Sequence, residues 1–105
     1  MSDRRRLCSV SDVEDGTARR FDVDGRRIAL ARIGEEFFAI GDRCSHEDVS
    51  LSEGTVFTFE CEIECVKHGS TFDLKTGEPV TLPATKPVPV YEVAVEGDDV
   101  LVVIP

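Results

Sequence analysis

A single all-β domain, a sandwich or barrel of short antiparallel strands, is predicted by three features of the sequence. Asp24-Gly25 stands between two apolar-rich runs and is the strongest short-range hairpin signal in the chain. The segment 57–65 alternates apolar with polar side chains, the period of a half-buried strand. Pro79, Pro83, Pro87 and Pro89 keep the stretch before the last hairpin extended and non-helical.

The elements follow in order. Leu7–Val10 reads as a first strand. Ser11 and Glu14 have capping-box spacing, but Gly16 limits any helix there to about one turn. Ala18–Val23 and Arg26–Ile33 form the hairpin around Asp24-Gly25, and Phe37–Ile40 continues it through a turn near Gly34-Glu35. Phe57, Phe59, Cys61, Ile63 and Cys65 form the apolar side of the alternating strand, which a turn could interrupt. Lys75-Thr76-Gly77 is a tight turn. Val88–Val95 and Val100–Ile104 close the chain as a hairpin through Gly97-Asp98-Asp99. About eight to ten strands result, without repeats or linkers.

Composition narrows the function. At 105 residues the chain is expected to form one domain, 1–105, and its 41% hydrophobic and 31% charged content suits a soluble protein. No apolar stretch approaches the roughly 18 residues of a membrane span. The basic N-terminal residues are not followed by an apolar segment, so no signal peptide and a cytoplasmic location are expected. In that setting four cysteines are expected as ligands or buried thiols rather than disulfides. A net charge of −9 argues against nucleic acid and anionic membranes as partners. Seven carboxylates (Asp42, Glu47, Asp48, Glu53, Glu60, Glu62, Glu64) face one base, Arg43, between residues 42 and 65. They read either as a solvated face or as a docking surface for basic partners.

The chemistry is concentrated in two pairs, Cys44-Ser45-His46 and Cys65-Val66-Lys67-His68, which use both histidines of the chain. Thiolate and imidazole are ligands for soft and borderline transition metals. Zinc is a competitor, because two Cys and two His make a structural set; zinc fingers, however, usually pair Cys with Cys and His with His. One Cys and one His in each segment suits a dinuclear cluster reached by both loops. Cys8 and Cys61 are expected as small buried hydrophobes, and Phe37, Phe38, Phe57 and Phe59 as packing residues.

Residues 44–68 resemble the Rieske signature, C-x-H followed after a spacer by C-x-x-H. Residues 65–73 resemble the second cluster loop of that family. Ser50–Gly54 and Ala84–Val90 resemble its bacterial ferredoxins, including the return to the basal sheet. The resemblance implies a Rieske-like fold: an antiparallel β-sandwich base carrying a small cluster-binding subdomain, about residues 42–73. It implies a [2Fe-2S] cluster with Cys44 and Cys65 on the inner iron and His46 and His68 on the outer one. Ser70 matches a position whose hydroxyl can bond a cluster sulfur, and Gly69 lets the backbone pass close by.

The departures from the family pattern are informative. High-potential members carry two further cysteines in a disulfide; Val49 and Lys67 stand at those positions here. Their tyrosine is Phe72. Fewer donors around the cluster predict the low end of the Rieske range, about −150 mV. With no further histidines for a mononuclear iron site, the chain is expected to catalyse nothing alone. The resemblance implies a monomeric electron carrier between a flavin-dependent reductase and a terminal oxygenase or other redox protein. Alternatives are an accessory protein of iron–sulfur assembly, a nitrite reductase small subunit and, less favoured, a zinc-stabilised interaction module.

Overall fold

The computed structural model describes residues 3–45, 48–67, 69–82 and 84–104. Among these residues ten strands form three antiparallel sheets. The first sheet orders β1 (Asp3–Ser9), β10 (Asp99–Ile104) and β9 (Val93–Glu96) as β1-β10-β9. The second orders β2 (Ala18–Val23), β3 (Arg26–Ile33), β4 (Glu36–Gly41) and β8 (Val90–Tyr91) as β2-β3-β4-β8. The third, smaller sheet is β5 (Val56–Phe57), β6 (Glu62–Glu64) and β7 (Thr71–Asp73). No helix of the described residues is long and apolar enough to cross a membrane.

Strand β3 explains the layering. Ile28, Ala29, Leu30 and Ala31 are all buried, so the middle of this strand has no solvent face. Its side chains alternate between two cores. Ile28 and Leu30 pack with Cys8, Tyr91, Val100, Val102 and Ile104, joining the two large sheets. Ala29 and Ala31 pack with Cys44, Leu51, Ile63, Cys65, Phe72 and Leu74, joining the second sheet to the small one. Small alanines on that face let the small sheet sit close to the base.

The Asp24-Gly25 turn forms as expected, both residues having positive φ (50° and 77°), as a two-residue hairpin loop requires. Several expectations are corrected. The alternating segment 57–65 is broken by a turn over 58–61, and Cys61 there takes φ +58° instead of a strand conformation. Cys61 is therefore half-buried in a turn, and Phe59 at the same turn is 96% exposed rather than packed. Val88–Val95 is likewise not one strand. β8 pairs with β4 and β9 with β10, so the chain crosses between sheets at Glu92. The N-terminal strand starts earlier, at Asp3, and carries an irregularity between Arg6 and Cys8. The cap of the 3-10 turn Val10–Asp12 uses Ser9 and Asp12, not Ser11 and Glu14: the Ser9 N–H donates to the Asp12 carboxylate at 2.9 Å.

Cys8 is buried as expected. Burial raises its thiol pKa, with Asp12 adding to the rise. Burial raises the Cys61 thiol as well.

Candidate metal centre

Two loops and a strap build the site. The first loop leaves β4 at Gly41. It is closed by the Cys44 N–H donating to the Val49 carbonyl (2.9 Å) and the Leu51 N–H to the Asp42 carbonyl (2.6 Å). The second loop joins β6 to β7, where the Cys65 N–H donates to the Ser70 carbonyl (2.7 Å) and the Gly69 N–H to the Cys65 carbonyl (3.0 Å). Gly69 has φ +74°, a region that favours glycine, so its identity permits this tight return.

Cys44 and Cys65 are each 1% exposed and lie in one apolar cluster with Leu51, Ile63, Phe72 and Ala84. All four cysteines are outside any disulfide. Val49 is half-buried against the same cluster and Lys67 is exposed, so no loop-bridging disulfide exists. His46 and His68 lie outside the described residues.

The strap is residues 84–86, which meets both loops. The Ala84 N–H donates to the buried Ser70 hydroxyl (3.1 Å), and the Ser45 hydroxyl donates to the Lys86 carbonyl (2.6 Å). Because Ser70 Oγ accepts from the strap, its own proton remains to be donated elsewhere. Sequence reasoning missed Ser45 as a clamp and the strap as part of the site. The proline-rich composition signalled an extended segment, but not what it touches.

Asp42, one of the seven carboxylates between residues 42 and 65, is fully buried and belongs to no acidic surface. Its carboxylate accepts from the Ser50 hydroxyl and from the Ser52 N–H at 2.9 Å, and Arg20 stands 3.9 Å away. It braces the base of the first loop. Glu62 and Glu64 are half-buried, which leaves Asp48, Glu53 and Glu60 as the exposed carboxylates described in this segment. Asp48 is already ion-paired with Arg27 and Arg43, both at 3.4 Å.

Two buried cysteines from separate loops in one apolar pocket, neither in a disulfide, suit a group held by two thiolates on its inner side. The chain matches the Rieske [2Fe-2S] domain over residues 3–92. The chain belongs to the Rieske [2Fe-2S] family. It is 46% identical over 98 residues to the 3-phenylpropionate/cinnamic acid dioxygenase ferredoxin subunit of Escherichia coli (strain K12), covering 93% of this chain and 91% of that protein. The ferredoxin of carbazole 1,9a-dioxygenase from Nocardioides aromaticivorans IC177 superposes with a TM-score of 0.92 at 36% identity, covering 94% of this chain and 95% of that one. A chain in the complex of reduced oxygenase and oxidised ferredoxin of carbazole 1,9a-dioxygenase matches at 40% identity and TM-score 0.87, covering 94% and 91%. The Rieske fold, the [2Fe-2S] cofactor and a ferredoxin-type electron-carrier role follow.

Proposed function

We propose that this Rieske protein is the low-potential ferredoxin of a ring-hydroxylating dioxygenase system, taking single electrons from a flavin-dependent reductase and passing them to a terminal oxygenase. The whole chain, 1–105, acts as one domain whose cluster-binding part spans about residues 42–73. Cys44 and Cys65 hold the inner iron, and His46 and His68 the outer one. When bound, the cluster supplies a one-electron redox couple. The observation that carries this assignment is the burial of Cys44 and Cys65, from separate loops, in one apolar cluster.

The chain's own residues shape that couple. Neutral imidazoles in place of two thiolates remove two negative charges from the cofactor, which eases reduction even in a protein of net charge −9. Burial of both cysteines keeps water from the inner side. Ser70, buried and already accepting from the Ala84 N–H, would donate its remaining proton to a cluster sulfur, whereas Phe72, fully buried, has no hydroxyl to add a second donor. One donor instead of two supports the low end of the Rieske range. A monomer working in the cytoplasm completes the reading. The oxygenase complex of the carbazole ferredoxin and the dioxygenase-subunit identity of the curated relative favour this role over iron–sulfur assembly, nitrite reduction or zinc binding.

Visible and EPR spectra of the natively purified protein test the cofactor. A red-brown protein with a rhombic reduced-state signal is expected, and a colourless protein with stoichiometric zinc would overturn the assignment. The role is tested by reconstitution: adding the protein to a flavin reductase and a terminal oxygenase should restore NADH-dependent turnover. His46→Cys or His68→Cys should lower the midpoint potential strongly, and an unchanged potential would remove that histidine from the ligand set.

A further inference from the structure

We propose that Asp42 sets the redox potential of the cluster: its carboxylate, sealed beneath the first metal-binding loop, is a fixed negative charge that opposes the added electron. The inference rests on the assignment of Cys44 to the inner iron. Asp42 stands two residues before Cys44 and its side chain is 0% exposed. Carboxylates are almost never fully buried unless paired, because removing the charge from water is costly. Bracing the loop does not require that charge. A neutral amide carbonyl could accept the same N–H at lower cost.

Four hydrogen bonds fix the residue. Its N–H donates to the Arg27 carbonyl at 2.9 Å, and its carbonyl accepts from the Leu51 N–H at 2.6 Å. Its carboxylate accepts from the Ser52 N–H at 2.9 Å and from the Ser50 hydroxyl. Ser50 and Ser52 belong to the returning limb of the loop that carries Cys44. The charge is therefore held against that loop and cannot swing out to water. Donors on both oxygens suit the anion.

Nearby cations offset this charge only in part. Arg20 Nε stands 3.9 Å from Asp42, whereas Arg20 bonds Asp22 at 2.9 and 3.2 Å. The Arg20 side chain is 43% exposed, so water screens it. Arg27 and Arg43 are engaged by Asp48, both at 3.4 Å. An interior charge acts at an effective dielectric constant near 20 rather than 80, so its field is about four times that of a solvated carboxylate at equal distance. Asp42 thus leaves a net negative field at the Cys44 loop. It makes reduction harder by a cause independent of the donor that Phe72 lacks.

Protein-film voltammetry of the cluster-loaded Asp42→Asn variant tests this. Asparagine keeps the shape and can still accept the Ser52 N–H. The midpoint should rise, with about a tenfold larger reduced-to-oxidised ratio at fixed applied potential, or about 59 mV. Iron content and the reduced EPR signal should match those of the parent. The shift should persist between about 0.01 and 0.15 M salt, because a buried charge is screened little. Arg20→Gln, at the protein surface, should move the midpoint the opposite way by a smaller amount, and it carries the test if Asp42→Asn does not fold. A loosened loop alone would not give shifts of opposite sign. An unchanged or lowered midpoint in loaded Asp42→Asn, a shift abolished by that salt, or an unchanged or raised midpoint in Arg20→Gln would each overturn the proposal and leave the electron-carrier reading in place. A parent protein lacking a two-iron cluster would overturn that reading, and this proposal with it.

Discussion

Ser70 is where a single hydroxyl is expected to set a redox property. It is fully buried, accepts from the Ala84 N–H and retains one proton to give. Ser70→Ala should lower the midpoint potential by roughly 40 mV, because about 1 kcal/mol of hydrogen bonding corresponds to that much for one electron. Protein-film voltammetry on the loaded variant measures it, and an unchanged potential would place the hydroxyl in strap support alone. Cys8 has a different consequence. Its folded-state pKa is raised by burial, so the native protein holds the thiol proton more tightly than the unfolded chain does. The resulting stability is fully present below the ordinary thiol range of about 8.5 and declines as pH rises through the folded value. Urea unfolding at pH 7 and pH 10 should therefore show an alkaline loss that shrinks in Cys8→Ala. An equal loss in both proteins would assign it to other groups.

The elements are held together by close backbone approaches, of which Gly54 is the tightest. It follows the 3-10 turn Leu51–Glu53, and a Cβ on it would sit 1.6 Å from the Glu64 carbonyl oxygen in β6. Backbone cannot yield there without moving Cys65, the next residue. Gly54→Ala should destabilise the protein by about 3 kcal/mol or more and lower its iron content, read by thermal melting and metal analysis. Retention of both would mean that β6 can shift freely. This contact also marks a boundary of sequence reading. The hairpins around Asp24-Gly25 and Gly97 were legible because turn chemistry is local, although Asp99, expected in the second turn, pairs with Glu96 as the first residue of β10. The break at 58–61 was not: side-chain alternation survives a turn, and the Leu74 N–H bonding to the Cys61 carbonyl at 2.9 Å is a tertiary event. The split of Val88–Val95 was equally hidden, since a strand that changes sheets keeps its composition.

For the molecule as a whole, charge and exposure decide how it meets partners. Of the carboxylates between residues 42 and 65, Asp42 is interior and Asp48 is ion-paired, so the acidic surface there is weaker than a count of residues suggests. The net charge of −9 still steers basic partners over a distance. Electron transfer to the oxygenase should slow as ionic strength rises from about 0.01 to 0.15 M, where the screening length falls from about 30 to 8 Å. Stopped-flow rates over that range check it, and a flat response would assign the charge to solubility alone.

By itself the sequence determined the all-β class, the turns and the candidate ligands, because each depends on residue type at short spacing: glycine where φ is positive, alternation along strands, Cys and His two or three positions apart. Only the tertiary structure decided which of these residues face one another. It buried Asp42 beneath the first loop, brought the 84–86 strap to Ser45 and Ser70, and gathered Arg26, Arg27 and Arg43 around one cavity. Those placements depend on contacts across tens of residues, and no local pattern encodes which strand will lie against which loop.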